Sequence, residues 1–195
     1  MNEPPHSHPG CAPAVGPGHT RRRFLKSAAA AGALFSLGAA QALAGTRGVR
    51  ELAFLNLHTG ERLKVPYWED GHYVNAALDE INYVLRDHRA EESHTMDTHL
   101  LDLLYRLKST VSNGRPFEVI SGYRSPATNE MLRQSGGGGV AKKSMHMLGR
   151  AIDIRQPGTD LLRLHAAAKS LKGGGVGLYR GSNFIHVDTG AVRYW

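Results

Sequence analysis

Cysteine is nearly missing from this chain. The only one, Cys11, lies close to the first residue. Beyond Cys11 the chain has no disulfide, no thiolate nucleophile and no cysteine-based zinc site to offer. No basic run interleaved with aromatics occurs, so nucleic-acid binding is not expected. No internal repeat recurs, which speaks for a globular unit rather than an array.

What the first segment does contain reads as an address. Thr20-Arg-Arg-Arg-Phe-Leu-Lys26 has the twin-arginine form, residues 27–44 are uncharged and rich in Ala, Gly and Leu, and Ala42-Leu-Ala44 is an A-x-A cleavage site. The alternative is an uncleaved anchor, since spanning takes about 20 apolar residues. The many Ala and Gly make this stretch only mildly apolar, so no stable membrane insertion is expected after cleavage. Residues 1–20 hold five of the nine prolines and His6, His8 and His19. Such a segment cannot bury enough apolar surface to order itself. The expected organisation is therefore a leader over 1–44, export by the twin-arginine pathway to the periplasm, and a single domain over 45–195. Processing lowers the formal charge from +7 to +4, with 20 basic and 16 acidic residues left.

After the leader the pattern mixes strands and helices. Arg50–Asn56 and Arg62–Trp68 read as a hairpin turning at His58-Thr-Gly60. Asn75–His88 and Asp97–Val111 carry apolar residues at helical spacing, as does Asp160–Leu171. Phe117–Ile120 is a short strand ending at Ser121-Gly122. Ser125-Pro126 is an N-cap followed by a first-turn proline, opening a helix to about Gln134. Ser135-Gly-Gly-Gly-Gly139 must be a loop, either a lid or a plain connection. Gly175–Tyr179 and Phe184–Asp188 form a second hairpin. The fold class expected is α+β, a small antiparallel sheet with helices packed on it.

The chemistry concentrates in Ser144-Met-His-Met-Leu-Gly-Arg-Ala-Ile-Asp153 and Phe184-Ile-His-Val-Asp188. Two imidazoles and a carboxylate, with a fourth position left open, make the ligand set of a catalytic zinc. His146 and Asp153 on one helix would stand roughly 10 Å apart along its axis, too far to share an ion. Gly149 resolves this, because glycine can take the positive φ of a turn and let Ala151–Ile154 run back as a strand. The metal expected is one Zn per chain, held by His146, Asp153 and His186. His165 reads as packed in a helix face, and His72, His88, His94 and His99 as surface. His58 is read as stabilising its turn and is left out of the site.

Ser-x-His-x-x-Gly-x-Ala-x-Asp followed by a strand-borne His resembles the D-Ala-D-Ala peptidase group of LAS-type zinc peptidases. Asn56-Leu-His-Thr-Gly-Glu61, Ile120-Ser-Gly-Tyr-Arg-Ser-Pro126, Gly139-Val-Ala-Lys-Lys-Ser144, Gly174-Gly-Val-Gly177 and His186-Val-Asp-Thr-Gly190 make it similar to the murein endopeptidase branch of that group, the MepK or YcbK-like one. The resemblance implies a LAS or hedgehog-like fold and peptidoglycan stem peptides as substrate. It implies endopeptidase action on cross-links, the 3-3 L,D-bond first. A D,D-endopeptidase or D-Ala-D-Ala carboxypeptidase is the runner-up, and a silent peptidoglycan-binding domain is the reading from another class. The +4 charge suits an anionic wall polymer, though it is ordinary for a solvated surface too.

The resemblance also assigns roles. Arg124 matches the arginine that stabilises the transition state, with a structural ion pair as the plain alternative. Ser144 matches a substrate-contacting serine, or else holds the loop. Relatives carry an acidic base three residues before the last His, where this chain has Asn183, which cannot accept a proton and is taken as substrate-contacting. Asp188 shares a strand face with His186. It is expected to be base, orienting group or ligand, and the sequence leaves those roles open.

Overall fold

The computed structural model describes residues 48–135 and 140–195. The leader, its cleavage site and the Gly136–Gly139 loop lie outside the described residues. Those described fall within one compact unit, Thr46–Trp195. Among them no helix is long and apolar enough to cross a membrane.

Among the described residues eight strands and four α-helices follow in chain order: β1 (Arg50–Asn56), β2 (Arg62–Glu69), β3 (His72–Tyr73), α1 (Asn75–Val84), α2 (Thr98–Val111), β4 (Phe117–Ser121), α3 (Pro126–Gln134), a 3-10 turn at Met145–Leu148, β5 (Ala151–Arg155), α4 (Leu161–Ser170), β6 (Gly175–Tyr179), β7 (Phe184–Asp188) and β8 (Arg193–Tyr194). All strands join one sheet in the order β3-β2-β1-β4-β5-β7-β6-β8. The class is α+β as expected, but the sheet is neither small nor purely antiparallel. β1 pairs with β4 in parallel, through Phe54 opposite Phe117, and β6 pairs with β8 in parallel. The first of these pairings merges the β1–β2 hairpin with the strands that follow. It spans a crossover containing α1 and α2, as a parallel connection requires, and so leaves no local mark in the sequence.

Apolar spacing explains the helices. α2 buries Leu100, Leu101, Leu104, Leu107 and Val111 on one face. It starts where the Asp97 side chain accepts the His99 N–H, a cap worth about 1 kcal/mol. This face packs on β1 and α4. Together with Leu52, Phe54, Ile81, Ile152, Ile154 and Ile185 it makes one continuous core, each such side chain contributing about 1.5–3 kcal/mol by leaving water. α1 ends at Val84, four residues short of the expected His88. Beyond Val84 the backbone serves tertiary contacts instead: Leu85 O accepts the Tyr123 N–H at 2.8 Å. The Arg86 guanidinium pairs with Glu61 at 2.7 Å and Glu91 at 3.0 Å.

Asp87, next in line, is buried and ties two segments together. Its Oδ2 accepts the Ser125 N–H at 2.9 Å and its Oδ1 the Arg89 N–H at 3.0 Å. Burial works against its charge, yet hydrogen bonds from Thr128 and Ser125 outweigh that and lower its pKa to about 2. Ser125 in turn caps α3 by accepting the Thr128 N–H at 3.2 Å. The segment between α1 and α2 and the start of α3 are thereby held against the end of β4, where the candidate site begins.

Candidate metal centre

The site is assembled on three adjacent strands. Asp153 of β5 stands opposite His186 of β7 in the sheet register, and opposite Ser121 of β4 on its other side. Cross-strand partners have Cβ atoms about 4.5–5.5 Å apart, so the register alone brings Asp153 and His186 within bonding reach. His146 arrives from the 3-10 turn. Ser144 caps that turn by accepting the His146 N–H at 3.3 Å, and Gly149 closes it in the left-handed region at φ 65°. A side chain at Gly149 would also need a Cβ 2.2 Å from Thr95 O. The reversal at Gly149 thus places His146 over β5, as the sequence predicts.

Three ligand atoms converge. His146 Nε2 lies 3.2 Å from His186 Nδ1 and 3.3 Å from Asp153 Oδ1, and His186 Nδ1 lies 2.9 Å from the same oxygen. The outer ring atoms decide what the inner ones carry. His146 Nδ1 faces Gly122 O at 2.7 Å, and a carbonyl only accepts, so the proton sits on Nδ1. His186 Nε2 faces the Asp188 carboxylate at 2.9 Å and donates to it. In the neutral rings both inner nitrogens are therefore lone pairs aimed at each other and at a carboxylate. Three acceptors so placed repel one another unless a cation stands between them. Ligands at about 2.0–2.2 Å from a tetrahedral Zn stand roughly 3.3–3.5 Å apart, close to the spacings observed. The donor set fits a zinc-type ion.

All three groups are buried, with His146 at 3%, Asp153 at 7% and His186 at 8% exposure. Burial pushes the Asp153 carboxyl up, but His146 and His186 beside it hold it well below the usual carboxylate range. Burial likewise opposes charge on His186, and Asp153 and Asp188 on either side raise its pKa. A proton and a metal ion would compete for this same place.

Asp188 lies behind the His186 ring and away from the other two ligands. It is fully buried. Besides His186 it accepts from Gly175 N at 3.0 Å, Gly190 N at 2.8 Å and the Arg193 guanidinium at 2.7 and 3.1 Å. Burial alone would raise its pKa, and the bonds to His186 and Arg193 lower it instead.

Arg124 stands at the mouth of the site. Its Nη2 is 3.7 Å from Asp153 Oδ2 and donates to Ser121 Oγ at 3.2 Å, and its Nη1 donates to Asn129 Oδ1 at 3.4 Å. Its Nε is buried without a partner. Burial lowers the pKa of this guanidinium against the pull of Asp153. With His146, Asp153 and His186 it lines a cleft of about 380 Å³, whose walls include Lys143, Ser144, Tyr179, Phe184, Arg193 and Trp195. A larger hollow of about 570 Å³, lined by Arg50, Asp97, His99, Asp102, Arg106 and Arg150 among others, lies elsewhere, and among the described residues only His146, Asp153 and His186 bring three ligand atoms together.

Asn183 is not among the residues lining the cleft, although its neighbours Ser182 and Phe184 are. It is exposed and sits in the β6–β7 turn at φ 53°, a conformation that Asn tolerates better than most residues. His58, kept out of the site on sequence grounds, faces Ile120 O with Nε2 at 3.0 Å and stacks on His88 with ring centroids 4.1 Å apart. Sequence reasoning missed Gly122, Arg193 and Trp195. Gly122 acts through its carbonyl, which no residue type announces. Arg193 and Trp195 lie in Ala191-Val-Arg-Tyr-Trp195, where no period or motif singles them out.

The family model described as "Peptidoglycan L,D-endopeptidase MepK" matches residues 44–195. The peptidoglycan L,D-endopeptidase MepK of Escherichia coli (strain K12) is 43% identical over 146 residues, covering 75% of this chain and 80% of that protein. The one from Shigella flexneri matches to the same extent, 43% over 146 residues. The probable peptidoglycan L,D-endopeptidase MepK of Haemophilus influenzae is 43% identical over 155 residues, which covers 79% of this chain and 83% of that protein.

Proposed function

This chain belongs to the MepK peptidase family, and on that premise we propose that it is a zinc-dependent murein endopeptidase acting on peptide cross-links. The observation that carries the zinc is the meeting of His146 Nε2, His186 Nδ1 and Asp153 Oδ1 with no proton to share between the neutral rings. Zinc bound by these three would supply Lewis acidity, activating water and polarising the scissile carbonyl. The fold is read accordingly as the LAS type.

The chain's own residues supply the rest. Arg124 presents a partly desolvated guanidinium in the cleft wall, beside the carboxylate of Asp153. It would hold the carbonyl oxygen as negative charge develops there. Ser144 shapes the turn that carries His146, and its place in the cleft wall lets it meet the peptide as well. Asp188 is assigned to orienting His186, because its lone pairs are already engaged on the far side of the ring. Asp153 is the only carboxylate among the residues described as lining the cleft. No residue of the chain is therefore assigned as proton acceptor.

The substrate reading follows the relatives' names, with the 3-3 L,D-bond placed first. Incubating the purified protein with defined 3-3 and 4-3 cross-linked muropeptides, with and without a chelator, tests it. Chelator-sensitive cleavage of the 3-3 bond is expected. Binding without any cleavage would instead support the silent binding domain. We place the mature protein in the periplasm on the strength of the twin-arginine leader. Replacing Arg21 and Arg22 by Lys should strand precursor in the cytoplasm, and normal delivery of that variant would refute the assignment.

A further inference from the structure

The motif Gly174-Gly-Val-Gly177 offers no ligand atom, and its need for glycine comes from what lies over β6. A Cβ at Gly175 would stand 2.5 Å from both Arg193 Nη1 and Asp188 Oδ2, and one at Gly177 would stand 2.6 Å from the Trp195 indole. β8 runs beside β6 with Arg193 opposite Gly175. The bare backbone of Gly175 leaves the room in which Arg193 and Asp188 meet. There the guanidinium takes the carboxylate with both arms, Nη1 at 3.1 Å from Oδ1 and Nη2 at 2.7 Å from Oδ2. Nη1 also donates to Ala191 O at 3.0 Å.

This ion pair differs from an ordinary surface one. Asp188 is fully buried while Arg193 is about half-exposed, with side-chain exposures of 0% and 45%. A buried carboxylate without a cationic partner is costly, and a guanidinium fork both neutralises it and sets its plane. The plane matters because Oδ2 is shared between Arg193 Nη2 and His186 Nε2. A carboxylate turned out of this plane would no longer hold the proton on Nε2, and Nδ1 would lose its defined role as the bare nitrogen facing Asp153 and His146. Arg193 also leans on the face of Trp195, with Cζ 5.1 Å from the ring centroid, and Trp195 stands 5.3 Å from the His186 ring. With both Nη atoms engaged on Asp188, the guanidinium is committed to the protein although it borders the cleft.

We infer that Arg193 is a positioning residue for the metal-binding imidazole, acting on His186 through the carboxylate of Asp188 across the glycine gap in β6. The inference rests on the proposed metal site, so its test includes a reading that needs no metal. Arg193→Met keeps the apolar stem and removes the fork, while Arg193→Lys keeps the charge and removes the bidentate geometry. Zinc affinity of the full chain, measured by chelator competition, should fall by roughly 10–100-fold in Arg193→Met and by less in Arg193→Lys. In metal-free protein in alkaline buffer, long-range ¹H–¹⁵N spectra should show His186 as the Nε2–H tautomer, and a mixture of tautomers in Arg193→Met. Adding Arg193→Met to Asp188→Asn should cost little beyond Asp188→Asn alone, since both act along one path. Wild-type affinity with an unchanged tautomer in a folded Arg193→Met protein would overturn the inference. So would full additivity with Asp188→Asn. Should Arg193→Met fail to fold, Arg193→Lys carries the same two measurements. A wild-type protein that binds no zinc would sink the proposed function, and the tautomer comparison would still decide the role of Arg193.

Discussion

Arg124 combines the contacts of a structural residue with a place beside Asp153 in the cleft wall. The Gly-Tyr-Arg-Ser-Pro segment points it to the transition state, with a plain ion pair as the alternative. In the fold it has features of both, lying 3.7 Å from Asp153 and bonded to Ser121 and Asn129, yet lining the same cleft as the three ligand groups. Arg124→Lys is expected to cut turnover by roughly 100-fold or more, the loss typical of an oxyanion donor, with the Michaelis constant changing far less. Metal content measured alongside should stay stoichiometric. Equal turnover in the two proteins would assign Arg124 to structure alone. Asp188 and Asn183 teach the reverse lesson. Strand alternation correctly put Asp188 on the same face as His186, but alternation cannot show that Arg193, Gly175 and Gly190 occupy its lone pairs. Asn183 looked like a functional departure, and the turn it occupies at positive φ gives that residue type a backbone reason.

Among the elements, the turn from Met145 to β5 was legible because everything it needs is local. Ser144, Gly149 and the small Ala151 stand within a few residues of the ligands they place. Gly149→Ala should be correspondingly severe. The new methyl would meet Thr95 O at 2.2 Å in a backbone conformation that disfavours any side chain. A loss above about 1 kcal/mol in denaturant unfolding is expected, with zinc affinity falling in the protein that still folds. An alanine variant of unchanged stability and affinity would mean that the turn has slack the structure does not show. Elements whose partners are distant in sequence were harder to read. β3 and β8 have two residues each, too short for alternation to register. The parallel β1–β4 pair depends on residues more than sixty positions apart, so no local pattern could reveal one continuous sheet.

For the whole molecule, acid sensitivity follows from Asp87. Its pKa is lowered to about 2 in the folded protein, against about 4 in an unfolded chain. The unfolded chain therefore binds the proton more readily. The stabilisation is complete above the unfolded value and is lost as pH falls from about 4 towards 2. Urea unfolding followed across that range should show declining stability, with a shallower decline in Asp87→Asn. At neutral pH the same variant should be weaker by about 1.5–3 kcal/mol, the worth of hydrogen bonds to a charged group. An identical pH slope in both proteins would remove Asp87 from the account. His186 does not enter this window simply, since its protonation is tied to Asp153 and Asp188 on either side of the ring.

The order of the sheet has one more outcome, for how this protein meets other chains. β3 covers only Trp68 and Glu69 of β2, so most of β2 is in effect the outermost strand. Such a border is a template on which a peptide or a second copy could add itself as a ninth strand. β2 carries Arg62, Lys64 and Pro66 along that length, two cations and a residue with no N–H to offer, which are the means by which proteins blunt an open edge. The chain is thus spared capturing extended peptides along its far border, which leaves the proposed site in the cleft beside β7 free of that competition.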